Sequence, residues 1–360
     1  MEIKDGRLEN EIAFQLSKKL DWLLLIFYDY FDYYFEIRER SESNTFGSIA
    51  KRTPSVSLDE YNERMLDKFF DLVDLFQKHL LITHQPRYVQ FIFFYLCSYT
   101  EIYPDFMQNF LSRLINNIRN ENEPRLIRVN SANYLRSMAI RARFVPFKII
   151  QKTLEYLVNF LKQQTKTAKK KLLKETPLSK NAHKINLESS STYRDKIGDS
   201  TNTEYESQLR ELFLKFDILY YTNLTIAYLF SFKAQEFKKD ETGTYEKFIN
   251  VIKKYGEELH MLDFIPYSIL STLRDAHCIV SQDSEFLEML DAKLNEDGTE
   301  GKKFKGSDLL EDYLPFDPHF LPHSRKVIES NYHFLSSEET VVDDDILLGI
   351  DPNQIGRAHV

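Results

Sequence analysis

The sequence has little of what bends or cross-links a chain. Only ten Gly and eleven Pro occur in 360 residues, too few for the many tight turns of an all-β fold. The two cysteines, Cys97 and Cys278, lie far apart within apolar helical patterns. We therefore expect two buried free thiols in a reducing compartment, with a disulfide as the alternative. These scarcities favour a helical fold.

Long apolar runs and an excess of positive charge are also missing. The most apolar stretch, Trp22–Tyr28, ends at Asp29, whereas a bilayer crossing needs about 20 residues. Met1–Asn10 is polar and lacks the apolar core of a secretory signal. The net charge of −8 disfavours non-specific nucleic-acid binding. We expect a soluble intracellular protein with no membrane partner and no direct sequence-specific nucleic-acid partner.

Motifs for catalysis and metal binding are absent from the sequence. It has no phosphate-binding loop, no dinucleotide-binding glycine motif, no zinc-protease helix and no nucleophile elbow. His319 and His323 have no Cys or acidic ligand at metal-site spacing. Asp343–Asp345 is followed by the apolar residues Ile346, Leu347 and Leu348 rather than by a calcium loop. The sequence predicts a protein that is not an enzyme and binds no metal or cofactor. A helical enzyme with a polar pocket is the alternative.

Helical periodicity is what the sequence has in abundance. Apolar and aromatic residues recur at three- and four-residue steps, beginning with a long helix over about Glu9 to Arg40. Pro124 and Pro266 stand where helices would start, positions that tolerate a missing N–H. Successive helices are joined by short connections. This pattern predicts an all-α, HEAT-like α-solenoid of antiparallel helix pairs.

A change in composition divides the predicted solenoid. Residues 1–164 are predicted to form the N-terminal helical repeats. Residues 165–204 are rich in Lys, Ser, Thr and Asn and are predicted to be a disordered polar and basic insertion, because they offer little apolar area to bury. Residues 205–336 are predicted to form the C-terminal repeats, and residues 337–360 a flexible acidic tail.

Short polar motifs offer candidate signals for import and modification. A lysine cluster in the predicted insertion is typical of a nuclear import signal, although lysine-rich linkers without such a role are also common. Three hydroxyl residues in polar surroundings are candidates for phosphorylation, which would add charge to a docking surface. The import candidates are Lys169, Lys170, Lys171 and Lys174, and the phosphorylation candidates are Thr53, Ser55 and Ser336.

One basic stretch stands out in this acidic protein. Between Arg113 and Lys152 there are nine Lys/Arg and two acidic residues. On a helical wheel, four arginines form a predicted outer ridge opposite a core-facing apolar stripe, while Arg141 lies nearer the apolar edge. The ridge is either an ordinary solvated face or a docking surface for an acidic partner or a nucleic-acid backbone. Its members are Arg125, Arg128, Arg136 and Arg143.

Several segments, in order along the chain, resemble the RNA polymerase I-specific initiation factor family TIF-IA. The most specific is Tyr313–Pro318, an aromatic-Leu-Pro-Phe-Asp-Pro stretch that precedes a basic helix. Val89–Ser98 is similar to the family's V-Q-F and F-Y-L-C-S elements, and Asn133-Tyr134 with Arg141–Pro146 is similar to its N-Y and R-A-K-F-I-P elements. Leu20-Asp21 and Asp343–Leu347 add weaker matches.

The resemblance implies a nuclear and nucleolar, non-enzymatic adaptor. Such a factor binds RNA polymerase I on its stalk side, links it to a promoter-bound initiation factor, is switched by phosphorylation and forms a homodimer when free. Family members carry additional N-terminal repeats, so we expect this chain to be a C-terminal portion. An importin-like scaffold is the alternative, disfavoured by the single Trp. The expected partner-binding residues are Arg136, Arg141, Ala142, Arg143, Pro315, Phe316, Asp317 and Pro318.

Overall fold

The protein is all-α, as the sequence predicts. A computed structural model describes residues 2–37, 58–175, 200–238, 242–297, 305–317 and 321–334. These residues form twelve α-helices and no strand, and the helical-repeat prediction is confirmed. The helices are α1 (Glu2–Tyr34), α2 (Leu58–Leu75), α3 (Phe91–Cys97), α4 (Pro104–Arg119), α5 (Arg125–Arg141), α6 (Phe147–Glu175), α7 (Ser200–Phe232), α8 (Ala234–Phe237), α9 (Thr244–Tyr255), α10 (Tyr267–Val280), α11 (Ser284–Asp297) and α12 (Pro322–Ile328).

Prolines set the start of several helices. Pro104 occupies the first turn of α4, and Pro124 and Pro266 directly precede α5 and α10 with extended ψ angles of 141° and 145°. A proline here fixes φ near its helical value, and its missing N–H would have no partner inside the helix anyway. The helix starts predicted at Pro124 and Pro266 are confirmed to within a residue.

The predicted disordered insertion is wrong at both of its ends. Helix α6 continues to Glu175 and α7 begins at Ser200, while residues 176–199 lie outside the described residues. Leu161, Thr165 and Ala168 are all buried, so the inward stripe of α6 continues at four- and three-residue steps into the lysine-rich part. Composition hid this periodicity, because lysines fill the outward positions.

The chain divides into two compact units whose limits differ from the predicted ones. Residues 1–149 and 313–360 form the first unit, and residues 150–312 form the second. In the first unit α4 packs on α5, and α1 packs on α3 and α12. In the second unit α10 packs on α7 and α11. Residues 313–334 belong to the first unit rather than to C-terminal repeats because they hydrogen-bond to α5.

The two cysteines lie in different environments. Cys97 is buried in α3, where burial raises the pKa of its thiol far above the ordinary value. Cys278 is exposed on α10, since it follows the inward residues Ala276 and His277. The prediction of two buried thiols is therefore wrong for Cys278. Among the described residues no helix is long and apolar enough to cross a membrane.

Candidate protein-binding site around two buried arginines

Helix α5 is enclosed on almost every side. All residues from Val129 to Arg141 are buried, and Arg136 and Arg141 have no exposed surface. The predicted outer ridge is therefore wrong for Arg136, although Arg125 and Arg143 are exposed. A helical wheel assumes one core and one solvent side, whereas α5 has α4 on one side and a distant chain segment on another.

The segment Tyr313–Asp317 is held against α5 by side chains rather than by a strand or helix. Its backbone groups have specific partners in this unit, which is how a buried non-regular segment meets its hydrogen-bonding needs. The Phe316 N–H donates to Ser137 Oγ at 2.8 Å. Gln90 Nε2 donates to the Pro315 carbonyl at 2.7 Å, and the Tyr332 hydroxyl donates to the Phe316 carbonyl at 2.7 Å.

The two arginines fix opposite ends of the Tyr313–Asp317 segment. Arg136 Nη2 donates to the Tyr313 carbonyl at 3.2 Å, and Arg141 Nη2 pairs with Asp317 Oδ1 at 3.3 Å. The Arg141 guanidinium also lies 5.6 Å from the Tyr332 ring centroid, a favourable arrangement for a planar cation. A buried guanidinium without partners would be costly. The arginines therefore position this segment instead of presenting charge to solvent.

Phe316 anchors the segment in an aromatic pocket. Its fully buried ring lies 5.8 Å from the ring of Phe91, 5.4 Å from that of Phe94 and 5.6 Å from that of Tyr134. Inclined pairs at these distances are favourable beyond their buried area. Burial, with the neighbouring Tyr313 as a smaller cause, raises the pKa of the Tyr134 phenol well above its ordinary value, so the pocket is uncharged at neutral pH.

The chain leaves α5 beside the residues that follow α12. Ala142 forms an isolated antiparallel bridge with Tyr332. In it the Arg143 N–H donates to the Asn331 carbonyl at 2.9 Å, and the His333 N–H donates to the Arg141 carbonyl at 2.7 Å. This backbone pairing fixes the position of Arg143, whose side chain is exposed. Of the predicted partner-binding residues Arg141, Ala142 and Arg143, Arg143 is therefore the one whose side chain a partner can contact.

Asp21 of α1 caps the start of α12 from a distant part of the chain. Its carboxylate is 2% exposed and accepts the Ser324 N–H at 2.7 Å and hydroxyl at 2.5 Å. It also accepts the His323 N–H at 3.0 Å and contacts His323 Nδ1 at 2.9 Å. Burial alone would raise the pKa of this carboxyl, but the hydrogen bonds from Ser324 and His323 outweigh it and lower the pKa below the ordinary value.

The Asp21 cap predicts acid-dependent stability. A lowered folded-state pKa stabilises the protein above the unfolded pKa of about 3.9 and loses that effect as pH falls through the folded value. Asp21→Asn should therefore cost about 1–3 kcal/mol near neutral pH, because an amide donor would face the His323 and Ser324 donors. The difference from the parent should shrink as pH falls from about 5 to about 3. Urea unfolding followed by the fluorescence of Trp22, the one Trp of the chain and a residue of the first unit, measures this difference. A difference that stays constant with pH contradicts this assignment.

The structure brings most of the predicted partner-binding residues together but leaves few of them at the surface. Ala142, Pro315 and Phe316 are buried like the two arginines. Asp317 is partly exposed, and Pro318 lies outside the described residues. The lysines of the predicted import signal lie on α6, with Lys169 paired to Glu258 at 2.7 Å. All three predicted phosphorylation residues lie outside the described residues: Thr53, Ser55 and Ser336.

Sequence reasoning missed the polar residues that complete this site. Ser137 and Tyr332 have no distinguishing pattern, whereas Gln90 and Asp21 lie inside the segments that resemble a known family. In three dimensions three of those segments contact one another, because Gln90 reaches Pro315 and Arg141 reaches Asp317. Asp21 reaches Ser324 at the start of α12. Shared motifs that are distant in sequence therefore build one buried network.

Comparisons with known proteins agree with this reading of the motifs. A model of the family described as RNA polymerase I specific transcription initiation factor RRN3 matches residues 11–339. The RNA polymerase I-specific transcription initiation factor RRN3 of Mus musculus is 29% identical over 157 residues, which are 44% of this chain and 21% of the mouse protein. A crystal structure of RNA polymerase I transcription initiation factor Rrn3 is similar with a TM-score of 0.53 and 17% identity. That match covers 91% of this chain and 58% of the solved chain, and at this identity it supports the fold alone. Matched over residues 11–339, the chain belongs to the RRN3 family of RNA polymerase I-specific transcription initiation factors.

Proposed function

We propose that this chain acts in RNA polymerase I initiation as a non-catalytic adaptor that bridges the polymerase, on its stalk side, to a promoter-bound factor. The observation that carries the proposal is the family match over residues 11–339, which includes every segment of the buried network around α5. The role places the protein in the nucleus and nucleolus. The adaptor role is compatible with the net charge of −8, because in this role the partners, and not this chain, bind the nucleic acid.

The buried network supports an adaptor because it fixes surface residues without using them for binding. Arg136 and Arg141 hold the Tyr313–Asp317 segment, and the backbone pairing after α5 fixes Arg143 at the surface. A rigid, pre-ordered surface loses little entropy on association. The proposal also includes a homodimer of the free protein and nuclear import through the lysines of α6, of which Lys170, Lys171 and Lys174 are exposed.

The polymerase assignment is tested with purified components. The chain is immobilised and offered the cognate RNA polymerase I, with RNA polymerase II as the matched control, over a range of salt concentrations. Selective and salt-sensitive retention of polymerase I is expected, because charged contacts between partners are screened by salt. Equal retention of both polymerases, or retention of neither, contradicts the proposal.

Arg143 gives a residue-level prediction for the promoter-factor contact. Arg143→Glu should weaken capture of the promoter-bound factor about tenfold, equivalent to about 1.4 kcal/mol, because it reverses an exposed charge without disturbing the buried network. The melting temperature should be unchanged, since surface substitutions usually alter stability by less than about 0.5 kcal/mol. Arg119→Glu, at an exposed arginine at the end of α4, is the control. Equal losses in the two variants would reduce the effect to net charge, and no loss in Arg143→Glu would remove Arg143 from the contact.

A further inference from the structure

The first unit has a polar cleft between α2 and α4. Its volume is about 400 Å³, and it is lined by Phe70 of α2 and by one face of α4. An ion pair between Asp74 and Arg113 joins the two helices at 3.1 Å. The buried rings of Phe69 and Phe106 stack at 4.2 Å between centroids. Contacts inside the unit therefore fix both walls, and the cleft exists without a partner.

Side-chain amides make up most of the α4 wall. Asn109, Asn116, Asn117 and Asn120 all line the cleft. An asparagine amide has one acceptor oxygen and two N–H donors, so it can pair with both the N–H and the carbonyl of a peptide main chain. Asn109, Asn116 and Asn120 follow at steps of about 10 and 6 Å along the helix. In an extended chain three and two residues span about 10 and 7 Å, so the wall matches the spacing of main-chain groups.

Asn117 provides a buried hydrogen-bonding atom that the fold does not use. The residue is 4% exposed, and its Nδ2 donates to Gln77 Oε1 at 3.4 Å and to Ser131 Oγ at 3.2 Å. Its Oδ1 accepts no hydrogen bond from the described residues, although Asn117 lines the cleft. A buried acceptor without a donor is costly. Water can supply the donor in the free protein, and a main-chain N–H of a bound peptide would replace that water.

The neighbouring asparagines offer groups of both kinds. Asn109 Nδ2 donates to the Asp105 carbonyl at 2.8 Å, which leaves Asn109 Oδ1 as an acceptor. Asn120 Oδ1 accepts the Asn122 N–H at 3.1 Å, which leaves Asn120 Nδ2 as a donor. A phosphate or carboxylate ligand offers acceptors alone, whereas a peptide main chain offers donors and acceptors in alternation. The wall therefore suits a peptide better than an anion.

The carboxylates beside the cleft indicate the charge of the peptide. Asp67 is exposed on α2, three residues before Phe70 and therefore on the same side of the helix. Glu123 lines the cleft after the end of α4. Arg113 is the one cation among the lining residues, and it is paired with Asp74. Charge complementarity therefore favours a peptide with Lys or Arg side chains.

We propose that the cleft between α2 and α4 binds an extended, Lys- or Arg-containing segment of a separate protein. The asparagines of α4 hold its main chain, and the carboxylates beside the cleft select its basic side chains. Main-chain hydrogen bonds supply affinity and side-chain contacts supply specificity in this kind of recognition. The inference does not depend on the proposed role in RNA polymerase I initiation, because it uses only the surroundings of α2 and α4 and can be tested without a polymerase.

The test uses the full chain and three fluorescently labelled peptides of about eight residues, enough to span the roughly 16 Å from Asn109 to Asn120. The first peptide alternates Ala and Lys. The second has Glu in place of Lys, and the third keeps Lys but has N-methylated alanines, which lack the main-chain N–H. Fluorescence anisotropy should show that the first peptide binds at least about tenfold more tightly than either of the others.

Two matched pairs of variants assign the binding to the cleft. Asn116→Ala should weaken binding of the first peptide about fivefold, in the range of one lost hydrogen bond. Gln108→Ala removes an amide of α4 that does not line the cleft and should have no effect. Asp67→Lys should also weaken binding about fivefold, whereas Glu288→Lys makes the same charge change in the second unit and should not. All four side chains are exposed, so the melting temperatures should stay close to that of the parent.

Several results would overturn the proposal. Equal affinities for the first and the N-methylated peptide would show that charge alone drives binding. Equal affinities for the Lys and Glu peptides would remove the requirement for a basic segment. A control variant that loses as much binding as its matched partner would move the site away from the cleft, and no binding of the first peptide at about 1 mM would leave no site at all. Binding of single-stranded oligothymidine that Asn116→Ala removes would assign the cleft to nucleic acid.

Discussion

Phe316→Ala is expected to lower the free energy of unfolding of the first unit by about 3–5 kcal/mol, the usual cost of removing a fully buried aromatic ring. The ring has no exposed surface and lies against Phe91, Phe94 and Tyr134. The lost ring leaves a cavity that these large neighbours cannot fill by rotation alone. The Tyr313–Asp317 segment then loses its one fully buried aromatic side chain, so its hydrogen bonds to Gln90 and α5 should weaken as well.

The measurement needs a probe confined to the first unit, because a chain with two compact units need not unfold in one step. Trp22, the one Trp of the chain, lies in that unit, so its fluorescence during urea unfolding reports the relevant transition. Phe316→Leu should cost less, about 1–2 kcal/mol, since most of the apolar volume is kept. Leu214→Ala is the exposed control and should stay within about 0.5 kcal/mol of the parent. A Phe316→Ala loss below about 1 kcal/mol would show that the segment is not held by this ring.

Local rules predicted the helices well because each rule depends only on residues that are close together in sequence. Pro104, Pro124 and Pro266 mark helix starts through the fixed φ of proline, and apolar periodicity marks helix interiors. The end of α6 was missed for a physical reason. Composition measures average polarity, which is high in this lysine-rich part of α6. The inward stripe of the helix needs only one or two small residues per turn, and Thr165 and Ala168 supply them.

The environment of Arg136 could not be predicted from α5 alone. A helical wheel gives the direction of a side chain but not what lies there, and the Tyr313–Asp317 segment that covers Arg136 is nearly 180 residues away in sequence. The exposed Cys278 shows a second limit of helical patterns. The apolar residues around it indicate a helix, but they do not fix the direction of the Cys278 side chain to within a few tens of degrees. The family-like segments were informative because they came as an ordered set, although the sequence did not reveal that those containing Gln90, Arg141 and Phe316 meet in one buried network.

Asp317→Ala is expected to destabilise the first unit more than Arg141→Met, although Arg141 is the buried partner. Asp317 keeps 35% of its side chain exposed and Arg141 none. When Arg141 is removed, Asp317 can regain water, and methionine fills much of the space of the arginine stem, so the cost should be about 1–2 kcal/mol. When Asp317 is removed, the guanidinium keeps its charge at a site without solvent, for which a cost of about 3–5 kcal/mol is usual.

A double-mutant cycle decides whether this asymmetry comes from the buried Arg141 guanidinium charge that has lost the Asp317 carboxylate. The Arg141→Met, Asp317→Ala double variant should be close in stability to Arg141→Met alone, because no buried guanidinium remains to be penalised. Asp317→Asn should lie between the parent and Asp317→Ala, since an amide oxygen can accept from Arg141 without neutralising it. Urea unfolding monitored by Trp22 fluorescence gives all four values. If Arg141→Met proves the costlier single change, the arginine acts mainly through its packing against Tyr332, and the ion pair with Asp317 contributes little to holding the segment on α5.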